Sequence, residues 1–152
     1  MNVERRNPDR LYTEIRSLVR GMGFELVEFV SQIVQKTRKF HAVIYRKEGV
    51  TIDDVGAVHK AIQARLSIVE DSRDIDLGVS SPGLSRILKY FDEFETFKGR
   101  GVKVYRNSSG SWVTGTIGDS TSDGFELIER DTIFIPFTDI GKAKLEDREE
   151  AR

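Results

Sequence analysis

Apolar residues fall at Leu11, Ile15, Leu18, Val19 and Met22, offsets of 4, 7, 8 and 11 that put them on one face of a helix. Asn7 before Pro8 suits a helix entry, with Asn as cap and Pro in the first turn, and Gly21 and Gly23 supply an exit. The period then shortens. FELVEFVSQIV and KFHAVIYRK are rich in aromatic and β-branched residues and flank the polar tip Gln35-Lys36-Thr37-Arg38, which predicts a hairpin. From Thr51 the helical period returns in Val55, Val58, Ile62, Leu66 and Val69. Thr51 with Asp54 three residues on resembles a capping box, Asp standing in for the usual Glu. Ile75, Leu77 and Val79 then alternate as a strand ending at Ser80. The order α-β-β-α-β predicts two helices laid on one face of a three-stranded sheet.

Beyond YFDEFETFKG, which reads as a helical turn or short connector, the texture changes. RGVKVYR, SWVTGTIGD, GFELIER and DTIFIPF are short strands about ten residues apart, and KAKLE is a fifth, after Pro136 and a turn at Thr138-Asp139. Evenly spaced short strands split by turn signals predict a small closed barrel. The fold class is therefore α+β. An α/β domain over residues 1–89 precedes a β-barrel domain over residues 90–152, with SSPGLSRIL at the junction and a loose charged tail, EDREEAR.

Composition narrows the setting. The 152 residues are 38% hydrophobic and 32% charged, a soluble globular balance. No run approaches the roughly 18 apolar residues of a membrane span. MNVERRNPDR lacks the apolar segment of a secretory signal. With no cysteine there is neither a disulfide framework nor a thiolate metal site, so a cytoplasmic protein is expected and the sequon at Asn107 carries little weight. Net charge is −1, unevenly spread: residues 1–89 hold 15 Lys/Arg against 12 Asp/Glu, and residues 90–152 hold 9 against 13. That is either ordinary surface variation or a first half better suited to an anionic partner.

Catalytic chemistry finds little support. A serine nucleophile needs a base within hydrogen-bond reach and a group to orient that base, and Ser80-Ser81 lacks the glycines of a nucleophile elbow. His41 and His59 lie on a strand and a helix with no partners at metal-ligand spacing. Asp53-Asp54 is accounted for by a helix N-terminus, and Gly115-Thr116-Ile117-Gly118 matches a GxxG loop only in spelling. Pro82-Gly83 after Ser81 predicts a type II turn with Gly83 at its positive-φ position. The reading is a protein without catalytic residues, cofactor or metal. What remains is basic residues set for contact: Lys36, Arg38 and Lys39 at the hairpin tip, Arg46 and Lys47 closing the next strand, Arg86 and Lys89 after the junction. They serve either solubility and edge protection or phosphate contact.

GFELVEF, GVTIDDVGAVHKAIQARL, VSSPGLSRIL and FKGRGVKVY…GTI…IFIPFTDIGKAKL, in that order, resemble the bacterial ribosome maturation factor RimP family from about residue 10 to Leu145. The most specific stretch is Val79, Ser80, Ser81, Pro82, Gly83, Leu84 and Arg86. The resemblance implies an Sm-like, SH3-type barrel after the α/β domain. It also implies a non-enzymatic assembly factor for the small (30S) ribosomal subunit, associated with the ribosomal protein at the decoding centre; contact with rRNA and a monomeric state are expected beside it. Candidate contact residues are then Lys36, Arg38, Lys39, Ser80, Ser81, Pro82, Gly83, Leu84, Arg86 and Lys89, with Arg86 offering its charge. The chain departs from the family at Gly78, where an acidic residue is usual, and at Ser85-Arg86-Ile87-Leu88, where Asp-Arg-Pro-Leu is usual. Two other readings stand beside this one: a free-standing Sm-like module acting on small or messenger RNAs, and a hydrolase using Ser80 or Ser81.

Overall fold

The computed structural model describes residues 3–69, 74–83 and 85–146, with only the backbone at Val69. The chain makes two compact units, Pro8–Pro82 and Met1–Asn7 with Gly83–Arg152. This differs from the boundary at 89/90 that the sequence suggests, and backbone pairing gives the reason. The Glu4 N–H donates to the Lys89 carbonyl and the Phe91 N–H to the Glu4 carbonyl, at 2.9 and 3.0 Å. Arg6 grips Asp92 through Nε and Nη2, at 2.7 and 3.0 Å, with its guanidinium 4.1 Å from the centre of the Tyr90 ring. Both flanks of the expected domain therefore belong to the second unit. The redrawn division also removes the charge asymmetry, because residues 8–82 hold 11 Lys/Arg and 11 Asp/Glu.

In the first unit, helix α1 (Arg10–Gly21) is capped by Asp9, whose carboxylate accepts the Tyr12 N–H at 2.7 Å. Asp9 takes the role expected of Asn7, so Pro8 precedes the cap and does not open the first turn. Strands β1 (Glu25–Val34) and β2 (Thr37–Tyr45) form the predicted hairpin, with a bulge between Leu26 and Glu28. Helix α2 (Ile52–Val69) crosses to β3 (Ile75–Ser80), which lies parallel to β2 in a sheet of order β1-β2-β3. Thr51 and Asp54 exchange hydrogen bonds as a capping box: Asp54 N–H to Thr51 Oγ1, and Thr51 N–H to Asp54 Oδ2. Ile15 and Val19 of α1 and Val58, Ile62 and Leu66 of α2 are fully buried against Leu26, Phe40, Ala42, Ile44 and Leu77. Val55 is half-buried, and the side chain of Val69 lies outside the described residues. Among the described residues of this unit, one sheet face thus carries both helices and the other carries none.

The second unit contains a single helical turn, α3 (Glu93–Thr96), and β4 (Gly101–Arg106), β5 (Ser111–Ser120), β6 (Gly124–Ile128), β7 (Thr132–Pro136) and β8 (Ile140–Leu145). The sheet is antiparallel in the order β7-β6-β5-β4-β8, with a 3₁₀ turn, Phe137–Asp139, linking its outer strands. Among the described residues no ladder joins β7 to β8, so the sheet is not closed as the barrel expectation required. The outer edge of β8 is already occupied: Leu88 N–H donates to Ala143 and Leu145 N–H to the Arg86 carbonyl, both at 2.8 Å. Phe94, Phe97 and Phe125 fill the core, and Phe91 stacks on Phe137 at 4.2 Å between ring centres. The charged tail from residue 147 lies outside the described residues.

Two details overturn expectations at the junction. Gly83 does not take a positive φ; the glycines that do are Gly23, Gly49, Gly99 and Gly110. The turn begins at Gly83, whose carbonyl accepts the Arg86 N–H at 3.3 Å, so Gly83 occupies its first position and any residue is tolerated there. Leu84 lies outside the described residues. Arg86 points inward, its Nε 2.6 Å from the Glu93 carboxylate, with side chains 9% and 1% exposed. Glu93 also accepts the Lys89 and Tyr90 N–H groups, at 2.6 and 3.0 Å.

Removing one partner of a buried ion pair strands the other charge, so Arg86→Ala should lower stability by about 3–5 kcal/mol. Gly83→Val, with open space for its side chain, should stay within about 0.5 kcal/mol of the parent. Urea denaturation of the full chain measures both. A second prediction concerns acid. The Arg106 side chain, then Ser108, holds the Asp139 carboxyl below its ordinary range, and the Thr51 N–H does the same for Asp54. Carboxyls lowered in the folded state stabilise it above their ordinary range and lose that contribution as pH falls through their folded values. Asp139→Asn should therefore flatten the acid limb of a stability–pH curve.

Candidate functional site

The hairpin tip is a two-residue connection, since Val34 pairs with Thr37. Gln35 and Lys36 both take left-handed φ, 50° and 70°, the pattern of a type I′ turn that matches strand twist. Thr37 and Arg38, read from the sequence as part of the tip, are the first residues of β2. Lys36 and Lys39 are exposed, and no carboxylate pairs with either among the described residues. Arg38 is half-buried with its guanidinium 5.0 Å from the centre of the Phe40 ring, so its charge is partly spent on packing. Lys39 lies on the helix-free sheet face, between Gln32 of β1 and Asp76 of β3 in register.

The same face holds His41 and Ser80. Sequence reading placed neither histidine near the serines, yet His41 Nε2 lies 2.9 Å from Ser80 Oγ. The parallel register of β2 and β3 makes this contact, and neither strand signals it alone. Among the described residues no carboxylate hydrogen-bonds His41, so the pair lacks the orienting third group that activates a serine. The pair sits on an exposed strand surface. Gly78, opposite His41 in register, leaves room for the imidazole: a Cβ there would lie 2.9 Å from Nδ1. His59 is half-buried on α2, with Nε2 2.9 Å from the Leu77 carbonyl, a bond that ties helix to sheet. Ser81 is exposed and Pro82 half-buried; both close the first unit.

Gly83, Arg86 and Lys89 fall in the second unit. Arg86 is spent on Glu93, and the Lys89 backbone supports the same carboxylate. Of the candidate cations, Lys36 and Lys39 are exposed on one hairpin, whereas Arg86 and the Lys89 backbone belong to a buried network. Their sequence proximity to the serines gave no sign of this.

Comparison with known proteins fits this architecture. The RimP N-terminal domain pattern matches residues 14–85, from α1 to the first turn of the second unit. Ribosome maturation factor RimP of Borrelia turicatae (strain 91E135) is 28% identical over 137 residues, covering 89% of this chain and 93% of its own length. The RimP of Borrelia recurrentis (strain A1) is 26% identical over 136 residues, with the same coverage. The chain is similar to RimP proteins along nearly its whole length. The acidic residue that the sequence resemblance leads one to expect at Gly78 would displace His41. Arg86 has an interior role. No helix among the described residues is long and apolar enough to cross a membrane.

The strained tip yields a direct prediction. A non-glycine residue in the left-handed region costs on the order of 1–2 kcal/mol, so Lys36→Gly should raise stability by about 1 kcal/mol while removing one exposed cation. Thermal melting measures the gain, and amide spectra with unchanged hairpin shifts confirm the register.

Proposed function

We propose that this protein is a cytoplasmic, monomeric assembly factor for the small (30S) ribosomal subunit. It acts without catalysis, binding the immature particle through the ribosomal protein at the decoding centre and through rRNA. The observation that carries this reading is similarity along nearly the whole chain to proteins named ribosome maturation factors. We also infer that the second unit is an Sm-like, SH3-type domain. The strand order, with a 3₁₀ turn between its outermost strands, supports that assignment.

For the contact surface the exposed lysines of the hairpin are the favoured part of the original candidate set. Lys36 stands on the hairpin turn and Lys39 on the adjoining sheet face; both are exposed, neither has a carboxylate partner among the described residues, and neither enters a core, which suits phosphate contact. Arg86 is withdrawn as a contact because its charge is buried against Glu93. The His41–Ser80 pair does not revive the hydrolase reading, for want of an orienting group.

The test is gradient co-sedimentation of the full chain with purified small subunits and with whole ribosomes, at two salt concentrations. Binding should favour the free small subunit, because an assembly factor leaves before the large subunit joins. Equal binding to both particles, or to neither, overturns the reading. Lys36→Glu with Lys39→Glu should weaken binding and flatten its salt dependence by roughly 0.7–0.9 in log–log slope per lost phosphate contact. A ring of several copies in solution would favour the free-standing Sm-like module instead.

A further inference from the structure

The outward face of β4, β5 and β8 collects a composition unlike the rest of the sheet. Val102 and Val104 of β4 and Ala143 and Leu145 of β8 are buried, so Lys103 and Tyr105, and Lys142 and Lys144, take the opposite face. Register continues the rows onto β5: Lys142–Tyr105–Trp112 and Lys144–Lys103–Thr114. Tyr105 and Trp112 meet edge to face at 5.5 Å between ring centres, and the Lys103 ammonium stands 4.8 Å from the centre of the Trp112 ring. Gly141 makes room for the tyrosine, since a Cβ there would come within 3.0 Å of its ring. Trp112 nevertheless leaves 44% of its surface to solvent. None of these outward positions is acidic, and Asp139, just before β8, is held by Arg106 and Ser108.

Two aromatic rings beside three lysines is the arrangement that single-stranded nucleic acid requires, with ring faces for unpaired bases and ammonium groups for the backbone. A duplex keeps its bases stacked inside and would meet only the lysines. An acidic peptide would likewise use the lysines and leave Trp112 idle. We propose that this face is a binding platform for single-stranded RNA, with at least one base stacked on Trp112. The proposal rests on the assembly-factor reading only for the source of that RNA, an unpaired stretch of rRNA on the immature particle.

Trp112 is the only tryptophan in the chain, so its fluorescence reports on this face alone. Titration of the full chain with a short oligouridylate at low salt should quench it. The affinity should fall with salt at a slope near −0.7 for each phosphate contacted. Lys103→Glu, Lys142→Glu and Lys144→Glu should each flatten that slope. With a labelled oligouridylate read by anisotropy, Trp112→Ala should weaken binding roughly 5- to 150-fold and Trp112→Phe should recover most of the loss. Absence of quenching overturns the platform, as does equal quenching by duplex RNA or by polyglutamate. Co-sedimentation separates this outcome from the function itself. Small subunits bound without oligouridylate binding sink the platform and leave the assembly reading. Oligouridylate bound with neither particle retained does the reverse.

Discussion

The Glu93 carboxylate, 1% exposed, holds the second unit's entry segment in place. A buried carboxylate is tolerated only when its charge is matched and its lone pairs are satisfied, and Arg86 with the Lys89 and Tyr90 N–H groups provides both. Holding these residues fixes the course of the chain from 86 to 93. Residues 86–88 then lie along the outer edge of β8, and residues 89–91 present the backbone that residue 4 joins as a short parallel bridge. An edge strand with free backbone groups invites unwanted pairing. Here the entry segment covers one edge of the sheet and so keeps β7 from closing on β8.

That arrangement explains which parts of the fold were legible in the sequence. Ile15 and Val19, and Val58, Ile62 and Leu66, were readable because helical period and burial coincide. The Thr51–Asp54 box was readable because its partners are three residues apart. Arg6 and Asp92 are separated by 86 positions, and no local pattern announces such a pair. The boundary followed a change in strand texture near Tyr90, a local signal, whereas the units are defined by long-range pairing. Gly83 was misjudged for a related reason. Pro-Gly fits a type II turn, but the bond from Arg86 moved the turn two residues along.

The site was less legible than the fold. The stretch from Val79 to Arg86 is the most recognisable part of the chain, and recognisability suggested a binding surface. In the structure its arginine neutralises an interior acid, and its first serine is held by an imidazole from the neighbouring strand. The charge imbalance between the two halves pointed the same way and came from a misplaced boundary, since residues 8–82 are electrically neutral. The lysines and aromatics of the outer face went unnoticed because three strands contribute them. Two of these strands are consecutive, and the third arrives some thirty residues later.

The exposed cation on the strained turn and the exposed ring on the open sheet face share a physical feature: each keeps a group in solvent that the core does not use. Glycine would relax the backbone at Lys36, and Trp112 leaves 44% of its surface to solvent despite its contacts with Tyr105 and Lys103. Arg86 is the opposite case, a charge whose position the fold itself requires. Burial therefore separates the two kinds of residue where sequence proximity could not. The group that the fold needs is buried in an ion pair, and the groups proposed for a partner keep surface open to solvent. The proposed contacts on the hairpin tip and the Trp112 face are thus set apart from Arg86, which belongs to the scaffold.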